Sequence, residues 1–362
     1  MPNSFLLSRV LLQFDSPDAD LSGEISAIAR TPDGSLWLGS DELTSIERLS
    51  PTAPCIYGNH QRFAAGDLIK LFDADSEIDI EGMDYSDGYL WLVGSHSAKR
   101  NQPKGKKYKK DIQALAEIET DANRYLLARV PVINGQLVKS YQPSNSEEDT
   151  LTAALLRKTK KHNMLMEALA QDEHIGPFVQ MRLPSKDNGL DIEGLAVLGN
   201  RVYLGLRGPV LRGRAIILEL ELEESEPGVL TAKEIGDKGE IYRKHFVDLN
   251  GLGVRELCLR NNNLIILAGP TMELEGAMQV FQVKNLPDHS NHTIWEQSED
   301  ALSVLFDLPF IPGVDHAEGL ALFPCLGYDD ALMVVYDSPS DERRVNKKSL
   351  FADVFRMPNL DD

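Results

Sequence analysis

Five times along this chain a strand led by glutamate is followed, after a polar turn, by a second apolar strand, in most copies with glycine near its end. The glutamate-led copies read GEISAIA from Gly23, DIEGMDY from Asp79, DIEGLAV from Asp191, VRELCLR from Val254 and HAEGLAL from His316. Their partners read SLWLGSD from Ser35, YLWLVGSH from Tyr89, RVYLGLRG from Arg201, LIILAGP from Leu264 and ALMVVYDS from Ala331. These runs are rich in β-branched and aromatic residues, the composition of strands. Turn signals such as Asp33-Gly34 and Asp87-Gly88 join two of the pairs into hairpins. A unit that recurs at a fixed pattern and cannot bury its apolar face alone must stack on its neighbours.

Each repeat continues with a third strand (SIERL, YLLARVPV, AIILELEL, AMQVFQV, FADVFRM), and four of them with a fourth (LIKLFDA, FVQMRLP, HFVDLN, SVLFDLP). One fourth strand is missing, and the segment Val10-Leu11-Leu12-Gln13-Phe14-Asp15 has the pattern to supply it. The expected fold is an all-β propeller of five blades, each of four antiparallel strands, closed by the N-terminal strand so that no sheet edge is left open. Successive glutamates stand 57, 112, 63 and 62 residues apart, so the second interval carries extra chain, and a sixth blade there is the rival reading. The expectation is one domain over residues 1–362, with a basic loop insertion over 99–121 and a helical insertion over 146–171. The basic loop packs seven Lys or Arg into the twelve positions from Lys99 to Lys110.

A formal charge of −19 argues against nucleic acid or an anionic membrane as partner, since both need a basic face. The three cysteines, Cys55, Cys258 and Cys325, are far apart and show no metal spacing, which reads as buried reduced thiols. No signal-peptide pattern opens the sequence and no apolar run is long enough for a membrane span, so a cytoplasmic location is expected.

In such a ring the loop entering each first strand and the loop leaving each second strand open on one face. Glu24, Glu81, Glu193, Glu256 and Glu318 would then crowd the channel mouth. Two unit charges about 6 Å apart repel by about 3 kcal/mol at an effective dielectric of about 20. Protonation, arginine pairing or a bound cation must relieve that repulsion. An all-oxygen ring suits a hard cation, and calcium tolerates irregular geometry, so these five glutamates are expected to hold Ca2+. The alternative is that they accept backbone N–H bonds between neighbouring repeats. Asp79, Asp191 and His316 are candidates to move a proton. His96, Lys99, Arg100, Arg207 and Arg255 are candidates to hold an anionic substrate.

At DIEGMDY with LWLVGSH, DIEGLAV with VYLGLRGP, and HAEGLAL, the chain resembles DUF3616, a bacterial family of proteins of unknown function. That resemblance implies a propeller-like protein and no particular activity. More distantly, the strands at Asp79 and Asp191 resemble the esterase-like phytase domains, and the five glutamate-led strands resemble calcium-activated apyrases. Both imply a phosphoester or anhydride substrate. The functional expectation is a calcium-dependent hydrolase of a phosphorylated or other anionic small molecule; the alternative is a non-catalytic propeller that binds a protein partner or ligand.

Overall fold

Alternate residues of a single strand feed two different cores. Leu36 and Leu38 pack in one apolar cluster while Trp37, between them, packs in the next. The same division holds for Leu90 and Leu92 against Trp91 and Val93, and for Leu264 and Ile266 against Ile265 and Leu267. Both faces of these strands are therefore covered, which is why they read as unbroken apolar runs rather than alternating ones.

In this computed structural model, the described residues are 5–15, 21–73, 76–105, 107–143, 150–286, 291–298 and 301–358. Lys106 of the basic loop and residues 146–149 of the expected helical insertion lie outside them. The strands pair into antiparallel sets of four. The first set runs Ala27–Arg30, Leu36–Gly39, Ser45–Ala53 and Ile56–Ala64. The second runs Ile80–Ser86, Tyr89–Gly94, Leu127–Ile133 and Ala154–Leu156. The third is Asp191–Leu198, Arg201–Leu211, Arg214–Glu226 and Arg243–Asp248. The fourth is Gly253–Arg260, Asn263–Gly269, Gln279–Val283 and Leu302–Asp307. The last is His316–Cys325, Tyr328–Asp337 and Ser349–Phe355, completed by the N-terminal strand Leu6–Gln13 in antiparallel register.

The first strand of each set packs on that of the next, and the first strand of the last set packs back on Ala27–Arg30. Apolar clusters fill the spaces between successive sets, including the space between last and first. The result is a closed, propeller-like β architecture with the first strands lining the axis. Among the described residues no helix is long and apolar enough to cross a membrane.

Two expected fourth strands are corrected. LIKLFDA begins on the last residue of a single helical turn, Ala65–Leu68, and its residue 74 lies outside the described residues; the first set is completed instead by the preceding, more polar Ile56–Ala64. FVQMRLP overlaps a short helix, Gly176–Gln180, and Ala154–Leu156 takes its place in the second set. Within the expected helical insertion, residues 151–152 and 154–156 are strands, and the helical part is Met164–Leu169. The basic insertion is a ribbon: Lys99–Arg100 pairs with Ile118–Glu119, with the helix Tyr108–Ala114 at its end.

Candidate functional site

The register of each hairpin decides which side chain faces the axis. Gly82, Gly194, Glu256 and Gly319 stand opposite Val93, Gly205, Leu267 and Val335, and in each set a β-bulge falls at the residue just before. The bulged residues are Glu81, Glu193, Arg255 and Glu318. In the first set Ala27 stands opposite Gly39, which puts Ser26 at the equivalent place. The mouth position is therefore occupied by three glutamates, one arginine and one serine. Because side chains alternate along a strand, a one-residue offset turns the group to the other face.

That offset corrects the five-glutamate ring. Glu256 is fully buried among neighbouring backbone, where its Oε1 accepts the N–H groups of Leu195 and Leu257, both at 2.8 Å. It stitches the fourth inner strand to the third, and burial pushes its carboxyl well above the usual range. Glu24 falls one step outward, at the place Asp79 holds in the second set, where it forms an isolated bridge with Asp337. Ser26 hydrogen-bonds to the carbonyl of Ile80, joining the first inner strand to the second.

Two residues beyond Gly39, Val93, Gly205 and Val335 come Asp41, Ser95, Arg207 and Asp337. His96 thus overshoots the mouth by one residue. It is buried, with Nδ1 donating to the Gly94 carbonyl at 2.8 Å and Nε2 accepting from the Asn163 amide at 2.8 Å. Burial lowers it to about 4, which makes it a neutral structural histidine rather than an anion ligand.

The remaining groups converge on a cavity of about 950 Å³. Its floor carries Asp41, Asp79, Glu81, Asp191, Glu193 and Glu318, and the wall adds Asp337. Arginines relieve part of the crowding. Arg207 pairs with Asp191 and, at 2.8 Å, with Glu193. Arg255 bridges Glu193 at 3.2 Å and Glu318 at 3.0 Å. Arg124, which sequence reasoning missed, reaches Asp79 at 2.8 Å and the Ser97 hydroxyl at 2.8 Å. It arrives from the loop before a third strand, far from either repeat motif.

Protonation relieves the rest. Burial, with Asp79, Glu193 and Asp41 nearby, pushes Glu81 well above the ordinary carboxylate range. Burial and the charges of Asp79 and Asp337 push Asp41 up to about 7. Asp191 is pushed to about 7 by burial, against the pull of Arg207. Burial likewise raises Asp79 against Arg124 and raises Glu318 against Arg255. Glu81 has no direct ion pair or hydrogen bond among the described residues, whereas the buried Asp79 is drawn down by Arg124 and Ser95. His316 lies 3.8 Å from Asp337 but does not itself line the cavity.

Above this acidic floor the basic ribbon supplies Lys99, Lys104, Lys107 and Lys110. Arg100 also lines the cavity, but its guanidinium is held by Asp187 at 2.6 Å. The expected calcium ring does not fit these residues. Of its five glutamates, Glu256 is turned away, Glu24 lies outside the ring, and Glu193 and Glu318 hold arginine. Among the described residues no three His, Cys, Asp or Glu side chains converge as a metal site. Calcium asks for about six to eight oxygens.

No curated protein matches the chain. Among solved structures, a streptogramin B lyase is 10% identical, with a TM-score of 0.37, covering 98% of this chain and 100% of its own. The PQQ-bound aldose sugar dehydrogenase from Streptomyces coelicolor is 11% identical, with a TM-score of 0.40 over 96% of this chain and 98% of its own. Virginiamycin B lyase from Staphylococcus aureus is 13% identical, with a TM-score of 0.32 over 91% of this chain and 67% of its own. Likenesses this low carry no argument about chemistry. The family model for the protein of unknown function DUF3616 matches residues 24–353, most of the chain, and the protein belongs to that family.

Proposed function

We propose that the mouth cavity is a hydrolytic site for an anionic small molecule, such as a phosphoester, worked by acid–base catalysis between carboxyl groups. The observation that carries this reading is a single cavity with a buried acidic floor and a lysine-rich rim. The rim lysines, with Lys99 nearest the strand end, hold the anionic group as point charges. Glu81, neutral and without a direct ion pair, donates its proton to the leaving oxygen. Asp41, which titrates near 7, takes a proton from the attacking water. Two carboxyls with different protonation states in one cavity have the arrangement that acid–base hydrolysis uses.

Asp79 and Asp191, first candidates for proton transfer, are ion-paired to Arg124 and Arg207. They fit better as groups that orient the floor. The fold completes the proposal: the five four-stranded sets serve as five blades, and the short helices at Met164–Leu169 and Gly176–Gln180 decorate the second.

A hydrolysis screen over phosphomonoesters, nucleotides and carboxylate esters tests the reading, with and without a chelator. Glu81→Gln is expected to lower kcat by about a hundredfold or more while the fold persists. Activity untouched by Glu81→Gln together with Asp41→Asn would remove the catalytic centre from this cavity. Ligand binding that needs Lys99 and Lys107 without any turnover would favour a binding scaffold instead.

A further inference from the structure

Cys55 and Cys325 are 270 residues apart in sequence, yet the ring brings them to one place. Cys55 lies in the turn between the third and fourth strands of the first set; Cys325 ends the first strand of the last set. Both belong to the apolar cluster between those sets, Cys325 buried and Cys55 half-buried at its margin. The Ser8 hydroxyl, on the N-terminal strand that closes the ring, is 3.6 Å from the Cys55 sulfur. Burial pushes the Cys325 thiol up, the neighbouring Cys55 thiol pushes it further and Ser8 pulls it down, so both groups lie beside it. The backbone joins at the same point, where Leu11 N–H donates to the Cys55 carbonyl at 2.8 Å and Leu11–Leu12 runs parallel to Ile56–Tyr57.

We infer that Cys55 and Cys325 form a thiol-oxidation site: a low-molecular-weight disulfide converts them to an intramolecular disulfide that locks the first set to the last. The more exposed Cys55, as thiolate, attacks one sulfur of the incoming disulfide and releases one thiol. The Cys325 sulfur, losing its proton, then attacks the Cys55 sulfur of that mixed disulfide and releases the second thiol. Two protein thiols are oxidised, one small disulfide is reduced to two thiols, and no other reactant is needed. Cys55 sits on a hairpin turn rather than inside a strand, so its sulfur has the freedom to reach the bonded distance of about 2.05 Å.

Cross-linking here differs from an ordinary surface disulfide. It bridges the seam at which the ring opens, and it encloses nearly three quarters of the chain, so it restricts the unfolded state strongly. Cys258 provides an internal control, because it lies in a different cluster, away from both of the other thiols.

The full chain is incubated with oxidised glutathione, then alkylated and analysed by intact mass and peptide mapping. The expected result is a fall from three free thiols to one, a linked peptide joining Cys55 to Cys325, and a Tm raised by about 5 °C. Cys55→Ser and Cys325→Ser are each expected to abolish the linked peptide and the Tm rise while leaving the reduced Tm near that of the parent. Glutathione retained on Cys55 with Cys325 still free would overturn the inference. So would a link to Cys258, or three thiols that stay reduced.

Discussion

At the scale of single residues, the mouth cavity concentrates acids that folding must keep partly protonated. Asp41 and Asp191 rise from 3.8 to about 7 on folding. The folded chain therefore holds more protons than the unfolded chain between those values. Their contribution to stability is complete below the lower value and is lost as pH rises through the upper one. Tm is expected to fall from about pH 4 to about pH 7, and Asp41→Asn is expected to flatten that fall. Thermal melts across the range check the sign; a Tm that rose with pH in this window would mean that folding leaves these carboxyls ionised. The sequence made the chemical type of this site legible, because the Asp-Ile-Glu-Gly motifs and the second-strand ends at Asp41, Arg207 and Asp337 reach it. It did not make the register legible. Glu256 and His96 match their repeats by letter, yet each lies one residue beyond the mouth position, where strand alternation sends the side chain inward. One sign was present: three repeats follow their glutamate with glycine, and in the fourth the glutamate itself fills the glycine place.

At the scale of the strand, that glycine place has a physical meaning. A Cβ on Gly82 would lie 2.6 Å from the backbone carbonyl of Glu193, and one on Gly194 would lie 2.8 Å from the Leu257 side chain. Adjacent inner strands approach too closely there for a side chain to pass. Where the fourth repeat carries Glu256 instead, the larger residue uses the gap to bind the N–H groups of Leu195 and Leu257. Burial favours the protonated form of that carboxyl, and a single oxygen, Oε1, accepts both N–H groups. Glu256→Gln preserves the accepting oxygen and is expected to change stability by less than about 1 kcal/mol, whereas Glu256→Ala strands two buried donors and costs about 2 kcal/mol or more. Denaturant titration of the two variants separates this role from a charged one; equal losses would mean that the negative charge, not the oxygen, holds the strands. The strands misread from sequence fail for a related reason. Ile56–Ala64 carries Asn59, His60, Gln61 and Arg62 on the outer edge of its set, so it lacks the apolar signature that made the run LIKLFDA, from Leu68, look like a strand.

At the scale of the molecule, stability depends on one seam. Four of the sets are made of chain that is local in sequence, but the last borrows Leu6–Gln13 from the far end. Val10 and Leu12 on that strand are fully buried, and they pack with Leu350, Ala352 and Val354 of the strand beside them. The arrangement was legible from sequence by counting, since one fourth strand was missing and one unassigned apolar segment remained. Its energetic consequence is sharper than its topology. Removing residues 5–13 would expose the edge of Ser349–Phe355 together with those apolar side chains, a template for pairing with other chains. The truncated chain is therefore expected to lose its cooperative thermal transition and to aggregate, because the gap between last and first sets opens on both sides. A synthetic peptide spanning residues 5–15 should restore a transition in trans, with a midpoint that rises with peptide concentration. Calorimetry with and without the peptide decides the matter. A truncated chain that melts cooperatively within a few degrees of the full chain would show that the ring holds together without its seam.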